Sequence, residues 1–136
     1  MKKKKVIFIC SYNSVRSQIA EGLLKNTYPD NYEVYSAGLM STGVNPHAIE
    51  VMGEIGIDIS GQTSNSIDEF AKFKFDYAVT VCSKADKACP SLPAKERIHV
   101  DFADPARIMG GRENTIIAFR KLRDDMKKWI KETFKP

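Results

Sequence analysis

The stretch "CSYNSVRS" brings together Cys10, Arg16 and Ser17, with Asn13 between them. A thiol at the end of an apolar run, six residues before an arginine, suits an anion pocket with a thiolate in it. From Ser11 to Ser17 the chain must turn from strand into helix, which leaves several backbone N–H groups without intrachain partners. Those donors and the positive end of the helix make an anion site. Arg16 adds a planar fork matched to two oxygens of a phosphate-like oxyanion. Positive surroundings of this kind favour a thiolate. Ser17 can donate a hydrogen bond to the sulfur and Asn13 can brace the loop. Ser11, Tyr12, Asn13, Ser14, Val15, Arg16 and Ser17 are therefore the candidate substrate-binding residues. A plain packing thiol beside Val6, Ile7, Phe8 and Ile9 would explain Cys10, but not Asn13, Arg16 or Ser17. The loop is not of the Walker type, since it lacks the glycine-rich stretch and the Lys-Ser/Thr ending.

Further along, "DFADPAR" supplies Asp104-Pro105. The residue before a proline is pushed to extended geometry, which suits a carboxyl held over a site as general acid. An ordinary Asp-Pro turn is the commoner meaning of that dipeptide, and Asp101 competes for the acid role from the strand end. Two more cysteines stand in "CSKADKACP", Cys82 and Cys89. If the strands ending at Cys10 and Cys82 are sheet neighbours, their carboxyl ends lie ~5 Å apart, within disulfide reach. Cys82 and Cys89 are two helical turns apart, ~10 Å along an intact helix, beyond the ~7 Å limit for a bridge. A disulfide between them requires the segment to unwind. His47 and His99 form no metal-spaced cluster with the cysteines.

Positioning these groups falls to alternating strands and helices. Val6–Cys10 is a continuous apolar run, as in a strand covered on both faces of a parallel sheet. Helical spacing places Ile19, Ala20, Leu23 and Leu24 on the inner face of a helix from about Ser17, ending before Pro29. Tyr32–Gly38 reads as the second strand. Asn45-Pro46 opens a helix with Ile49, Met52 and Ile55 facing inward. Ser66 and Glu69 form a capping box at the start of a short helix. Phe75–Cys82 and Arg97–Phe102 are the third and fourth strands. A terminal helix from about Glu113 to Phe134 carries Ile116, Phe119, Leu122, Met126, Trp129 and Ile130 at helical spacing. The expected architecture is α/β, a four-stranded parallel sheet between helices in three layers, with ligands beyond the carboxyl ends of the strands. A single catalytic domain over residues 1–136 is expected at this length.

With 43% hydrophobic and 28% charged residues and a net charge of +4, the composition is that of an ordinary globular chain. The run Lys2–Lys5 reads as a solvated tail, so neither nucleic acid nor a membrane surface is expected as partner. No apolar segment approaches the roughly 20 residues that span a bilayer, and Val6–Cys10 is too short for a secretory core. A cytoplasmic monomer is expected. Three cysteines in a reducing compartment read as chemistry or packing rather than as a disulfide framework.

"CSYNSVRS" resembles the Cys-x5-Arg-Ser loop of the low-molecular-weight protein tyrosine phosphatases and of the arsenate reductases built on the same fold. The likeness extends through "AEGLL", "YSAG", the Asp-Pro pair and the terminal helix. It implies that Cys10 attacks the central atom of the oxyanion, that Arg16 cradles its oxygens with Asn13 and Ser17 in support, and that Asp104 protonates the leaving oxygen. Many members carry a second cysteine just before the arginine, where this chain has Val15; attack by Cys10 does not need it. Cys10, Cys82 and Cys89 together are similar to the triad of the thioredoxin-coupled arsenate reductases. Phosphatases of the fold commonly carry tyrosines after the Asp-Pro, where Ala106, Arg107 and Ile108 stand here. The resemblance therefore implies arsenate reduction through a Cys10 adduct, a Cys10–Cys82 disulfide, a Cys82–Cys89 disulfide and recycling by thioredoxin. The alternatives are a phosphatase working through a phosphocysteine, and a non-catalytic oxyanion-binding or redox-sensing module. No flavin, nicotinamide or catalytic metal is required. Some family members bind potassium beside the loop; Asn13, Glu21 and Ser36 match that site, and Asn65 stands where an aspartate is expected.

Overall fold

The structure is a computed structural model that describes residues 2–83, 85, 92–107 and 110–136. Four strands, β1 (Lys4–Cys10), β2 (Tyr32–Gly38), β3 (Phe75–Thr80) and β4 (Ala94–His99), form one sheet in the order β2-β1-β3-β4, with every neighbouring pair parallel. Three described helices accompany them: α1 (Arg16–Thr27), α2 (Pro46–Gly53) and α3 (Gly111–Thr133). The architecture is the α/β class that the alternating apolar patterns call for.

β1 is central because it can be buried on both sides. Val6, Ile7, Phe8 and Ile9 are all 0% exposed. Phe8 meets Trp129 and Phe134 edge-on at 6.4 and 6.0 Å, on the side where α1 packs against α3. Tyr35 pairs with Ile7, one residue out of phase with Phe8, and so takes the opposite face. There it joins Phe70, Phe73 and Phe75 in a cluster of edge contacts. α1 buries Ile19, Ala20, Leu23 and Leu24 as its spacing predicts. Asn45 caps α2 by accepting the His47 N–H at 2.8 Å, with Pro46 in its first turn.

Several elements differ from their sequence patterns. β4 begins at Ala94 and ends at His99, three residues earlier at each end than the expected Arg97–Phe102. It is an edge strand paired with β3 along Ala94–His99, so its polar residues face solvent without cost. β3 ends at Thr80 rather than Cys82. The capping box at Ser66 is formed, but it opens a 3-10 turn, Ile67–Phe70, rather than an α-helix. On α2 the fully buried residues are Ala48, Val51 and Met52, with Ile49 and Ile55 half-buried, so the helix is rotated from the expected face. Cys89 and, apart from Ser83 and Ala85, the helix expected between it and Cys82 lie outside the described residues.

Arg123, an ordinary solvent-side charge by pattern, is only 8% exposed. Its Nη1 donates to the Val51 carbonyl at 2.9 Å and to Glu54 at 2.7 Å, and Arg120 also grips Glu54. This carboxylate ties the end of α2 to α3. Hydrogen bonds from Arg120 and Arg123 lower its pKa from the ordinary 4.5 to about 2. A depressed carboxylate lends stability above its unfolded pKa and loses it as pH falls through its folded pKa. Glu54→Gln is therefore expected to lower the melting temperature at neutral pH. The deficit relative to the unmodified chain should shrink as pH falls from 4.5 toward about 2. Melting curves across that range check the sign; a deficit that grows on acidification would contradict it.

Candidate active site

Cys10 is the last residue of β1, at the carboxyl edge of the sheet, and is 2% exposed. Between it and α1 the chain makes a tight arc. The carbonyls of Cys10, Ser11, Tyr12 and Ser14 accept the N–H groups of Leu39, Met40, Thr42 and Asn45 at 3.0–3.2 Å. The Asn13 carbonyl accepts from Gln18 Nε2 and Ser64 Oγ, both at 2.9 Å. A planar trans peptide sets its N–H opposite its C=O, and every described peptide bond is trans. Carbonyls tied to the surrounding chain thus turn the N–H groups of Ser11, Tyr12, Asn13, Ser14 and Val15 the other way. On that side lies a recess of about 20 Å³ lined by Cys10, Tyr12, Ser14, Val15, Arg16 and Asp104. An arc of N–H groups at a helix start is an anion cradle.

Asn13 holds the arc. Its φ of +48° lies in the left-handed region, which asparagine visits more readily than most side chains. Its side chain is fully engaged: Oδ1 accepts the Asn65 N–H at 2.7 Å, and Nδ2 donates to Ser17 Oγ at 2.8 Å and Ser36 Oγ at 2.9 Å. Close approach of β2 to the arc requires Gly38. A Cβ there would lie 2.4 Å from the Met40 carbonyl oxygen and 2.6 Å from the Asn13 nitrogen, backbone atoms that have nowhere to go.

Ser17 Oγ lies 2.9 Å from Cys10 Sγ. Because that hydroxyl oxygen already accepts from Asn13, its proton is free to point at the sulfur. The same polarity runs outward, since Asn13 donates to Ser36 and Ser36 donates to the Glu21 carboxylate, which also pairs with Lys25. A donor held in place in this way is aimed at the sulfur, and hydrogen bonds to a charged acceptor are the stronger kind.

Arg16 is fixed by donating Nη1 to the Phe102 carbonyl at 3.1 Å, while its Nη2 lies 3.9 Å from Asp104 Oδ2. Asp104 caps the 3-10 turn Pro105–Arg107, its Oδ1 accepting the Ala106 N–H at 3.0 Å. Its Oδ2 is left beside Arg16, over the recess. Asp101 is placed differently: Ser83 Oγ donates to it at 2.6 Å, and that bond lowers its pKa. A carboxylate held ionised and turned to Ser83 is a poor proton donor, so the geometry favours Asp104 as acid.

β1 and β3 are neighbours, and the Cys82 sulfur lies 3.5 Å from Ser11 Oγ, one residue from Cys10. Cys10 and Cys82 are both buried, free thiols. Gln18, Gly38 and the Phe102 carbonyl were not legible as site residues: Gln18 reads as a surface helix polar, and a carbonyl acceptor leaves no trace in side-chain type.

Asn13, Glu21, Ser36 and Asn65 do come together, yet their oxygens are already used. Asn13 Oδ1 faces the Asn65 N–H, Asn65 turns its Nδ2 to the carbonyls of Ser36 and Thr63, and Glu21 is paired to Lys25 and Ser36. These residues do not fit a potassium ion, which needs several free oxygen lone pairs.

Removing the donor to the sulfur tests the clamp. Ser17→Ala is expected to slow alkylation of Cys10 by iodoacetamide at pH 7 about tenfold, the factor carried by one hydrogen bond to a charged group. An unchanged rate would show that the bond does not act on the sulfur.

The chain matches the family model described as low molecular weight phosphotyrosine protein phosphatase over residues 5–135. It is 48% identical over 132 residues to a protein of Halalkalibacterium halodurans named arsenate reductase, covering 96% of this chain and 95% of that one. Two solved structures are similar to it with 95% of both chains covered: an arsenate reductase in the phosphate binding state (TM-score 0.79, 34% identity) and one in the oxidized state (TM-score 0.80, 35% identity). With an anion cradle around a buried cysteine at the carboxyl edge of a parallel sheet, the chain belongs to the low-molecular-weight phosphotyrosine protein phosphatase family.

Proposed function

We propose that this protein reduces arsenate to arsenite with electrons from its own thiols. The observation that carries this beyond oxyanion binding is the second buried thiol, Cys82, whose sulfur lies 3.5 Å from Ser11 Oγ in the cradle itself. A phosphatase of this fold needs one cysteine. A reductase needs a second within reach of the first, and relatives covering nearly the whole chain are named arsenate reductases.

The sequence of bonds follows from the placement. The Cys10 thiolate attacks arsenic and forms an S–As bond, while Asp104 passes its proton to the departing oxygen, which leaves as water. Arg16 and the inward N–H groups hold the remaining oxygens, where charge accumulates. The Cys82 thiolate then attacks the Cys10 sulfur. An S–S bond forms, the S–As bond breaks, and its electron pair stays on arsenic, which leaves as arsenite. Cys89 is assigned the third step, attack on Cys82, which moves the disulfide to Cys82–Cys89 and frees Cys10. A dithiol of the thioredoxin class, entering oxidation as it leaves, reduces that bond. No resident cofactor takes part.

The second candidate is hydrolysis of phosphate monoesters through a phosphocysteine. Asp104 beside Arg16 favours it equally, because both reactions need that acid. Against it, Ala106 and Arg107 follow the Asp-Pro pair, where phosphatases of the fold commonly carry tyrosines.

Two substitutions separate the reactions. Cys10→Ser is expected to abolish arsenate reduction and aryl-phosphate hydrolysis alike. Cys82→Ser is expected to stop thioredoxin-dependent arsenite production while leaving hydrolysis of p-nitrophenyl phosphate within about twofold, since hydrolysis skips the thiol exchange. Undiminished arsenate turnover in Cys82→Ser would remove the reductase assignment and leave the phosphatase.

A further inference from the structure

Asp101 lies outside the recess, yet it is bound more tightly than an exposed strand-end carboxylate needs to be. Ser83 Oγ donates to its Oδ2 at 2.6 Å. Ser83 directly follows Cys82. On the other side Asp101 directly precedes Phe102, whose N–H donates to the Val81 carbonyl at 3.2 Å and whose own carbonyl holds Arg16 at 3.1 Å. Val81 directly precedes Cys82. The residues flanking Cys82 on both sides are therefore tied to the stretch Asp101–Phe102, and that stretch is the one that fixes Arg16. Among the described residues the Cys82 sulfur makes weak contacts, 3.5 Å to Ser11 Oγ and 3.4 Å from the Ala85 N–H.

β3 ends at Thr80, so no regular ladder position fixes Cys82. A nucleophile must be held within a fraction of an ångström of its target to profit from proximity. Among the described residues, the Val81 N–H bond to the Ile9 carbonyl at 2.9 Å, the Phe102–Val81 bond and the Asp101–Ser83 bond set its place.

We infer that Asp101 is a positioning residue for the second thiol step: through Ser83 it holds Cys82 against the cradle, in register with Arg16, so that the Cys82 sulfur meets Cys10 once the arsenic adduct has formed. This rests on the proposed reduction. It assigns Asp101 a role in S–S bond formation and none in the attack of Cys10 on the oxyanion. The step is the one already balanced above: S–S forms, S–As breaks, and arsenic keeps the electron pair. An amide oxygen at position 101 can still accept the Ser83 hydroxyl, so the placement requires an acceptor there and not a proton donor.

The test compares Asp101→Ala, Asp101→Asn, Ser83→Ala and the Asp101→Ala/Ser83→Ala double variant with the unmodified reduced protein. Three readouts are taken: arsenite released in a single turnover without external reductant, p-nitrophenyl phosphate hydrolysis, and iodoacetamide labelling of Cys82 relative to Cys10 by peptide mass spectrometry. Asp101→Ala and Ser83→Ala should each slow arsenite release about fivefold, a modest factor for a hydrogen bond at the surface. Cys82 labelling should rise by a similar factor, with hydrolysis within about twofold. The double variant should lose no more than either single one, because both remove the same bond. Asp101→Asn should stay close to the unmodified protein. Unchanged Cys82 labelling in both alanine variants would overturn the inference. A parallel fall in hydrolysis would overturn it too, by placing Asp101 in the chemistry at Cys10. If the unmodified protein releases no arsenite while Cys82 labelling still responds, the proposed reduction fails and the positioning of Cys82 by Asp101 stands.

Discussion

The site depends on one backbone constraint: the carbonyls from Cys10 to Ser14 are all claimed by chain outside the arc. Peptide planarity then aims the N–H groups inward without further cost. The left-handed turn at Asn13 permits this curvature, and its side-chain amide, buried and bonded three ways, keeps it from relaxing. An anion cradle built this way exists before any ligand arrives, so binding loses little to reorganisation. Everything else at the site is an attachment to that arc: Ser17 addresses the sulfur, Arg16 begins the helix, and Gly38 lets the neighbouring strand come close enough for the chain after it to supply N–H donors to the arc's carbonyls.

Sheet order supplies the second ingredient. β1 sits between β2 and β3, so the strand that carries Cys10 has the lead-in to Cys82 beside it. That adjacency places two thiols at one edge without a dedicated scaffold. The loop after β4 closes over the same edge and delivers two carboxylates with different surroundings. Asp104 lies over the recess beside Arg16, and Asp101 is bound to Ser83. Environment, more than residue type, decides which serves as acid.

Much of this was legible in residue order because the signals were local. The apolar run Val6–Ile9, the Asn45-Pro46 cap and the Ser66/Glu69 capping box each act within a few residues, and each forms where its pattern says. Cys10, Arg16 and Asn13 were likewise legible from spacing within one loop. What escaped depends on partners distant in sequence. β4 takes its span from β3 rather than from its own hydrophobicity. Arg123 is buried because Glu54 and the Val51 carbonyl await it across an interhelical seam. Gln18 and the Asp101–Ser83 bond are polar contacts between separate segments, for which side-chain type alone gives no sign.

Backbone amide resonances of the reduced protein during titration with inorganic phosphate, a non-redox mimic of the oxyanion, test the inward-facing arc most directly. Saturable shifts are expected at the amides of Ser11, Tyr12, Asn13, Ser14 and Val15, with those of Leu39, Met40, Thr42 and Asn45 nearly still because they remain bonded to the arc's carbonyls. Movement of the second set without the first, or shifts confined to the lysine-rich amino edge of the sheet, would contradict the cradle.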